Sequence, residues 1–352
     1  MGQPLINRGG AVVHPVAGWA AVTLTTGEAS FTFVPELSVL GVSLVWRGHA
    51  VVAPHRPLGD YATGGHTLGV PLLHPWANRL GADRVEIIDP VDGRTLVVDV
   101  RAAALEPPVG RDAAGLALHG TMAARRGWTV QSVDTGHAYA SATSTYDVAA
   151  DQSQMACFPF PHRLAVTHRL SADGGHAVLR TTVTVTALGD VSVPLCLGWH
   201  PYLRLPDSQR GVWQLEMPEL DHLELGPDML PTGGVERQRA RTVQLGDREF
   251  DDCYRLIEAD RHRPVAGGGV SDQAVPERTL SVSDDHLRVT MEAGPGFTHV
   301  QVYAPRHPAT VALEPMAAGI DALRTGDHGW VHPGESASLW FALGVGPAQP
   351  GA

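Results

Sequence analysis

The sequence predicts an all-β fold, a large antiparallel β-sandwich, and three observations carry that prediction. Apolar and polar residues alternate with period two over many short stretches. Those stretches are rich in β-branched residues, which suit a pleated strand and crowd a helix. The 39 glycines and 27 prolines among 352 residues interrupt the chain too often for long helices. In chain order, residues 85–88 and 95–100 flank Asp92-Gly93, a dipeptide that favours a tight hairpin turn. Residues 164–170 (LAVTHRL) turn at Asp173-Gly174-Gly175 into AVLRTTVTVTAL, which ends at Leu188. Residues 191–197 form an apolar, strand-like run, and 280–283 with 287–292 make a hairpin around Asp284-Asp285. A β-branched run opens at Val311, and 338–345 reads as a closing strand. No compositional shift divides the chain, so one domain is expected over 1–352, with 346–352 as a flexible tail. Segments 106–115 and 266–277 are expected to be mobile. The run Gly267-Gly268-Gly269 does not follow a strand and open a helix, so it reads as a loop and not a phosphate cradle.

Composition excludes several classes of function. A chain that is 43% hydrophobic and 18% charged can bury a substantial core and is not a disordered tail. The net charge of −11, with no basic run, argues against a nucleic-acid or membrane-surface partner. All 26 basic residues are arginine, so chemistry that needs a lysine amine is absent: Schiff-base aldolases, pyridoxal-phosphate enzymes and P-loop enzymes drop out. Cys157, Cys196 and Cys253 are odd in number and form no CxxC, which indicates neither a disulfide framework nor a structural zinc site. Residues 1–26 lack a signal-peptide apolar core, and no stretch approaches the roughly 20 apolar residues of a spanning helix. A reduced, cytoplasmic protein is the expectation.

The common catalytic signatures are missing: there is no HExxH, HxH, GxSxG or PCxxC. Five short segments combine polar residues with glycine, proline or aromatics. They are His74-Pro75-Trp76-Ala77-Asn78-Arg79; Leu118-His119-Gly120 with Arg125, Arg126 and Trp128 downstream; Gly198-Trp199-His200-Pro201-Tyr202; Phe250-Asp251-Asp252-Cys253-Tyr254; and Leu313-Glu314-Pro315. In the first, an arginine fork and an asparagine amide beside Trp76 suit a polyhydroxylated ligand whose C–H face stacks on an aromatic ring. Each segment alone has an ordinary structural reading, as a packed histidine, a salt-bridged loop or a turn. Glu314 is the most suggestive, because a carboxylate between Leu313 and Pro315 is poorly solvated.

Taken together and in order, Asn-Arg, Leu-His-Gly, Gly-x-His-Pro-Tyr, Phe-Asp-Asp-x-Tyr and Glu-Pro along an all-β chain resemble the aldose 1-epimerase (galactose mutarotase) family. The likeness runs from about Gly10 to Val345. It implies a single galactose mutarotase-like β-sandwich with a sugar site in a cleft on one face. It implies Glu314 as the general base that takes the proton from the anomeric hydroxyl, and His200 as the general acid that protonates the ring oxygen. It implies His119 as a second catalytic histidine, and Arg79 and Asp251 as substrate-binding residues, to which the residue reading above adds Asn78 and Trp76. No metal or organic cofactor is implied. The expected partner is a small sugar, with the chain a monomer or homodimer. Negative charge on Glu314 and Asp251 is expected to favour the imidazolium form of His200, and the pair is expected at opposite edges of one pocket.

The chain departs from the family pattern around both histidines. Trp199 precedes His200 and Pro201-Tyr202-Leu203-Arg204 follows it, while Thr121 and Met122 follow Leu-His-Gly. These departures look more like the divergent bacterial branches of the family, which include hexose-6-phosphate epimerases; on a phosphorylated substrate Arg125, Arg126 or Arg204 would hold phosphate. The first expectation is anomer interconversion of a free aldohexose. Its rivals are a hexose-6-phosphate 1-epimerase, a sugar-binding module without turnover, and a carbohydrate lyase, for which no arginine cluster with tyrosine is evident.

Overall fold

The computed structural model describes residues 10–64, 66–257 and 278–348. The hairpins expected from the sequence form where turn residues and alternation place them. Arg84–Ile88 pairs with Thr95–Asp99, His162–Ala172 with Ala177–Ala187, and Thr279–Ser283 with Leu287–Ala293, all antiparallel. Helices are few and short: Leu58–Gly64, Gln152–Cys157 and Ala322–Thr325 are the α-helical segments among the described residues. None of the described helices is long and apolar enough to cross a membrane.

Three sheets carry the architecture. A nine-stranded sheet runs from Thr129–Gly136 through the long central hairpin to Ser336–Pro347, and on to Arg241–Gln244 at its far edge. An eight-stranded sheet holds Phe250–Leu256, His299–Ala304 and Val311–Met316 side by side. A five-stranded meander covers Ala11–Val16 to His49–Val52. Leu164, Val166, Leu179 and Leu343 of the first sheet share one apolar core with Val300, Val302, Val311 and Leu313 of the second. His168 is the hinge of this packing: its ring meets Phe31 and Phe33 of the meander and Trp199 of the eight-stranded sheet.

Burial of one face of a strand leaves the alternate side chains to the other face. In His299–Ala304, Val300, Val302 and Ala304 enter the core, which sends His299, Gln301 and Tyr303 the other way. In Val311–Met316, Val311 and Leu313 enter the core, and Ala312, Glu314 and Met316 share the opposite face.

Two of the segments expected to be mobile carry regular structure. Segment 106–115 contains a strand, Gly110–Arg111, and Asp112 is tied to Arg79, so it is a built part of the structure. The closing strand runs through Gly346 and Pro347, into the segment read as a tail. The expected loop at 266–277 and residues 349–352 lie outside the described residues.

Candidate active site

Strand register sets the centre of the site. Gly198 pairs with Met316 and Tyr202 with Ala312. His200, midway between Gly198 and Tyr202, therefore faces Glu314, midway between Met316 and Ala312. The His200 Nε2 lies 3.1 Å from Glu314 Oε1, and both side chains are almost wholly buried. The expectation of opposite pocket edges is therefore corrected: the two groups are cross-strand neighbours in contact. On the same face, Cys253 pairs with Gln301 and Gln301 with Glu314, while Asp251 pairs with Tyr303. Gln301 donates from Nε2 to Asp251 Oδ1 at 2.6 Å. It thus stands between the two carboxylates.

A second layer comes from two loops. The carbonyl of His74 accepts from the amides of Thr121 and Met122, and the amide of His119 donates to the carbonyl of Asn78. This clamps the Asn-Arg segment to the Leu-His-Gly segment. His119 (φ 63°) and Asn78 (φ 57°) both lie in the left-handed backbone region. That region is uncommon for residues other than glycine, although asparagine and histidine enter it more readily than most, and it persists where surrounding structure enforces it. The result sets His119 edge-on to His200, with ring centroids 5.3 Å apart.

Gly120 makes the clamp sterically feasible. Its φ is 75°, and a Cβ there would stand 2.2 Å from the His74 carbonyl oxygen. Gly120→Ala is expected to cost at least roughly 3 kcal/mol of stability, since it combines left-handed strain with a backbone clash. Chemical denaturation checks this, and an unchanged midpoint would mean that the loop yields.

Arg79 is oriented from three sides. Its Nε donates to Asp112 Oδ2 at 2.8 Å and one terminal nitrogen to Asn78 Oδ1 at 3.1 Å, while the other terminal nitrogen lies 3.8 Å from Asp251 Oδ2. Asn78 thus orients Arg79 and also caps its backbone amide. Trp76 lies behind this segment. It is 2% exposed and its ring packs with the main apolar core.

The remaining candidates separate clearly. Asp252 contacts His222 at 3.0 Å, away from Arg79, which leaves Asp251 as the aspartate of the site. Cys253 is buried against Leu73, Ala77, Met316 and Ile320, and burial pushes its thiol up to about 12. Arg125 donates to the backbone carbonyls of Glu106, Pro107 and Thr121, so its guanidinium is already engaged. Arg126 lies over the Trp19 ring. Arg204 lines a cavity of about 340 Å³ with His55, Ser208 and Thr310. No cluster of three or more His, Cys, Asp or Glu side chains among the described residues is arranged to hold a metal ion.

Electrostatics correct one further expectation. Burial pushes the His200 imidazole well below its ordinary value, and the neighbouring His119 adds to this. Burial likewise holds the Glu314 carboxyl well above the usual carboxylate range; Asp251 adds to that and Arg79 opposes it. Burial pulls His119 down to about 3, with Arg79 contributing. Loss of hydration therefore outweighs the negative charge that was expected to favour the imidazolium. Both shifts point the same way, toward a neutral acid beside a neutral imidazole.

Several buried polar atoms converge here without a hydrogen-bond partner among the described residues: Glu314 Oε2, Gln301 Oε1 and the Nδ1 atoms of His119 and His200. Sequence reading missed Gln301, although a signal existed, because a polar residue alternating with valines in a wholly buried strand has to face something polar. It also missed Asp112, for which a turn in a Gly-Ala-rich stretch gives no signal.

The aldose 1-epimerase family model matches residues 42–344. No curated protein sequence matches the chain. Among solved structures, a galactose mutarotase-like protein from Clostridium acetobutylicum is 16% identical, with a TM-score of 0.78 over 96% of this chain and 98% of that one. Galactose 1-epimerase from Lactobacillus acidophilus is 12% identical, with a TM-score of 0.69 over 96% and 98%. A galactose mutarotase-like protein from Lactobacillus casei is 16% identical, with a TM-score of 0.60 over 92% and 99%. At these identities the structural likeness establishes the fold alone.

Proposed function

The chain belongs to the aldose 1-epimerase family, and from that premise we propose that it interconverts the α and β anomers of a free aldohexose of galactose or glucose type. The observation that carries this reading is the buried contact of His200 with Glu314, 3.1 Å, among polar atoms that lack partners. A sugar is dense in hydroxyls that both donate and accept, so it would satisfy Glu314 Oε2, Gln301 Oε1 and the histidine nitrogens together. Arg79, Asp251 and Gln301 would grip the sugar, with Asn78 and Asp112 holding Arg79 in place.

In the proposed reaction Glu314 takes the proton from the anomeric hydroxyl as the C1–ring oxygen bond breaks, and His200 gives its proton to the ring oxygen. The product is the open-chain aldehyde beside a protonated Glu314 and a neutral His200. Rotation about C1–C2 and the reverse transfers close the ring on the other face. Both oxygens are carried by the anomeric carbon, so neighbouring acid and base groups can serve them. Hydrogen bonds from the sugar to Glu314 favour its ionised form, and the proton then moves to His200 within the pair. Burial favours the neutral pair, which is the arrangement that accompanies the open-chain intermediate.

Time-resolved NMR on a panel of one-anomer aldoses tests the reading: accelerated equilibration of at least one free aldohexose is expected. A protein that binds sugars and leaves every anomer ratio at its uncatalysed rate would be a binding module instead. His119→Asn is expected to be milder than His200→Asn on the same panel, since His119 meets His200 edge-on. The opposite order would exchange their roles.

One observation favours a second reading, an aldose bearing an anionic group. The Arg56 Nε is buried without a partner among the described residues, and its charge acts on Tyr202 and Tyr303 beside the site. Including 6-phosphates in the panel decides between the two: this reading requires faster turnover of the phosphate and its selective loss in Arg56→Gln.

A further inference from the structure

A histidine that moves protons is commonly held by a hydrogen bond to its other ring nitrogen, which fixes tautomer and orientation. The buried Nδ1 of His200 has no side-chain partner among the described residues, and the backbone hydrogen bond that acts on the ring comes from His200 itself. What lies against the ring instead is Tyr202, two residues along. The Tyr202 and His200 rings are stacked, with centroids 4.3 Å apart and planes 19° from parallel.

Tyr202 is itself fixed at both ends. Its hydroxyl is 2.7 Å from Thr67 Oγ1, and its amide donates to the Gly69 carbonyl at 2.8 Å. His55 lies against the Tyr202 ring at 4.6 Å, and Tyr303 meets both Tyr202 and His200 edge-on. The titratable or charged groups facing this stack are Glu314, His119, His55 and Tyr303, with Arg56 acting on Tyr202.

We propose that Tyr202 is the positioning residue of His200: its ring face, in place of a side-chain hydrogen bond, fixes the imidazole plane, aims Nε2 at Glu314 and stabilises the imidazolium while it carries the proton. A π face attracts a cation that lies over it, and the stack supplies that face in a water-poor site. The inference rests on the anomerisation reading for its kinetic consequences, whereas the geometric claim about the ring is independent of turnover.

The test compares Tyr202→Phe, which keeps the ring and loses the link to Thr67, with Tyr202→Met, which fills much of the space without a π face. In Tyr202→Met, kcat for anomer exchange is expected to fall about 10- to 100-fold, with KM within about threefold of wild type. Its His200 ring signals, followed by NMR without sugar, are expected to broaden or move and to titrate at lower pH. Tyr202→Phe is expected to stay within about threefold of wild type in kcat. Wild-type kcat in Tyr202→Met, a rise in KM alone, or equal impairment of both variants would overturn the proposal. If the wild-type protein exchanges no anomers, the anomerisation reading fails, and unchanged His200 signals in Tyr202→Met would still overturn the stack. If Tyr202→Met does not fold, Tyr202→Trp decides: the proposal requires it to retain wild-type His200 titration, and a lowered titration overturns it.

Discussion

Replacing Glu314 by glutamine is expected to lower anomer exchange by at least roughly 10²-fold while making the sugar-free protein more stable, by roughly 2–4 °C in midpoint at neutral pH. Loss of rate follows because an amide cannot take the proton from the anomeric hydroxyl. The gain in stability follows from the buried position of the carboxyl. Glu314 is 1% exposed, and burial raises its carboxyl well above the usual value of 4.5. A group whose folded value is raised contributes its stability below its unfolded value and loses it as the pH rises through the folded one. Between those limits the unfolded chain ionises Glu314 freely and the folded chain does not, so folding is penalised. Glutamine has nearly the same shape and does not ionise. The advantage of Glu314→Gln should therefore widen from acid toward neutral pH, as thermal melts at several pH values would show. A variant that is less stable than wild type at neutral pH would mean that Arg79 holds the carboxylate ionised despite its burial.

Local sequence features translated well into structure, and features that depend on long-range register did not. The hairpin of His162–Ala172 with Ala177–Ala187 was legible because turn and alternation lie within one stretch of chain. The suspicion about Glu314 was sound for a similar reason: a carboxylate flanked by apolar residues on a β-branched run has few routes to water. Its contact with His200 was not legible as a distance, because it depends on how Gly198–Trp199 and Tyr202–Leu203 register with Val311–Met316, more than a hundred positions away. The burial of Trp76 was not legible, since an indole beside Asn-Arg looks the same whether it faces a ligand or the core. The direction of the His200 shift was not legible, because charges can be counted in a sequence and burial cannot. Asp112 sits in a segment whose composition suggests looseness, yet it accepts from Arg79 and from its own turn amides. The family resemblance named Arg79 but was silent on what holds it.

His200→Asn is expected to match Glu314→Gln in kinetic cost, at least roughly 10²-fold, because asparagine keeps a polar head at the position and cannot carry the proton to the ring oxygen. The pH dependence of the wild-type protein gives this prediction its second half. Catalysis requires one proton on the pair. Adding a second means protonating His200, which burial holds well below 6.5, and removing the first means ionising Glu314, which burial holds well above 4.5. The rate is therefore expected to lie on a plateau around neutrality, with its acid limb below pH 6.5. A plateau alone does not say where the proton rests, since apparent values of a coupled pair belong to the pair. Nitrogen chemical shifts of His200 do. In the sugar-free protein at pH 7 they are expected to report a neutral imidazole, whereas an ion pair would give an imidazolium. An imidazolium signal would show that charge outweighs burial in this pocket. A neutral signal that becomes cationic on adding a one-anomer sugar would locate the proton transfer within the pair at the binding step.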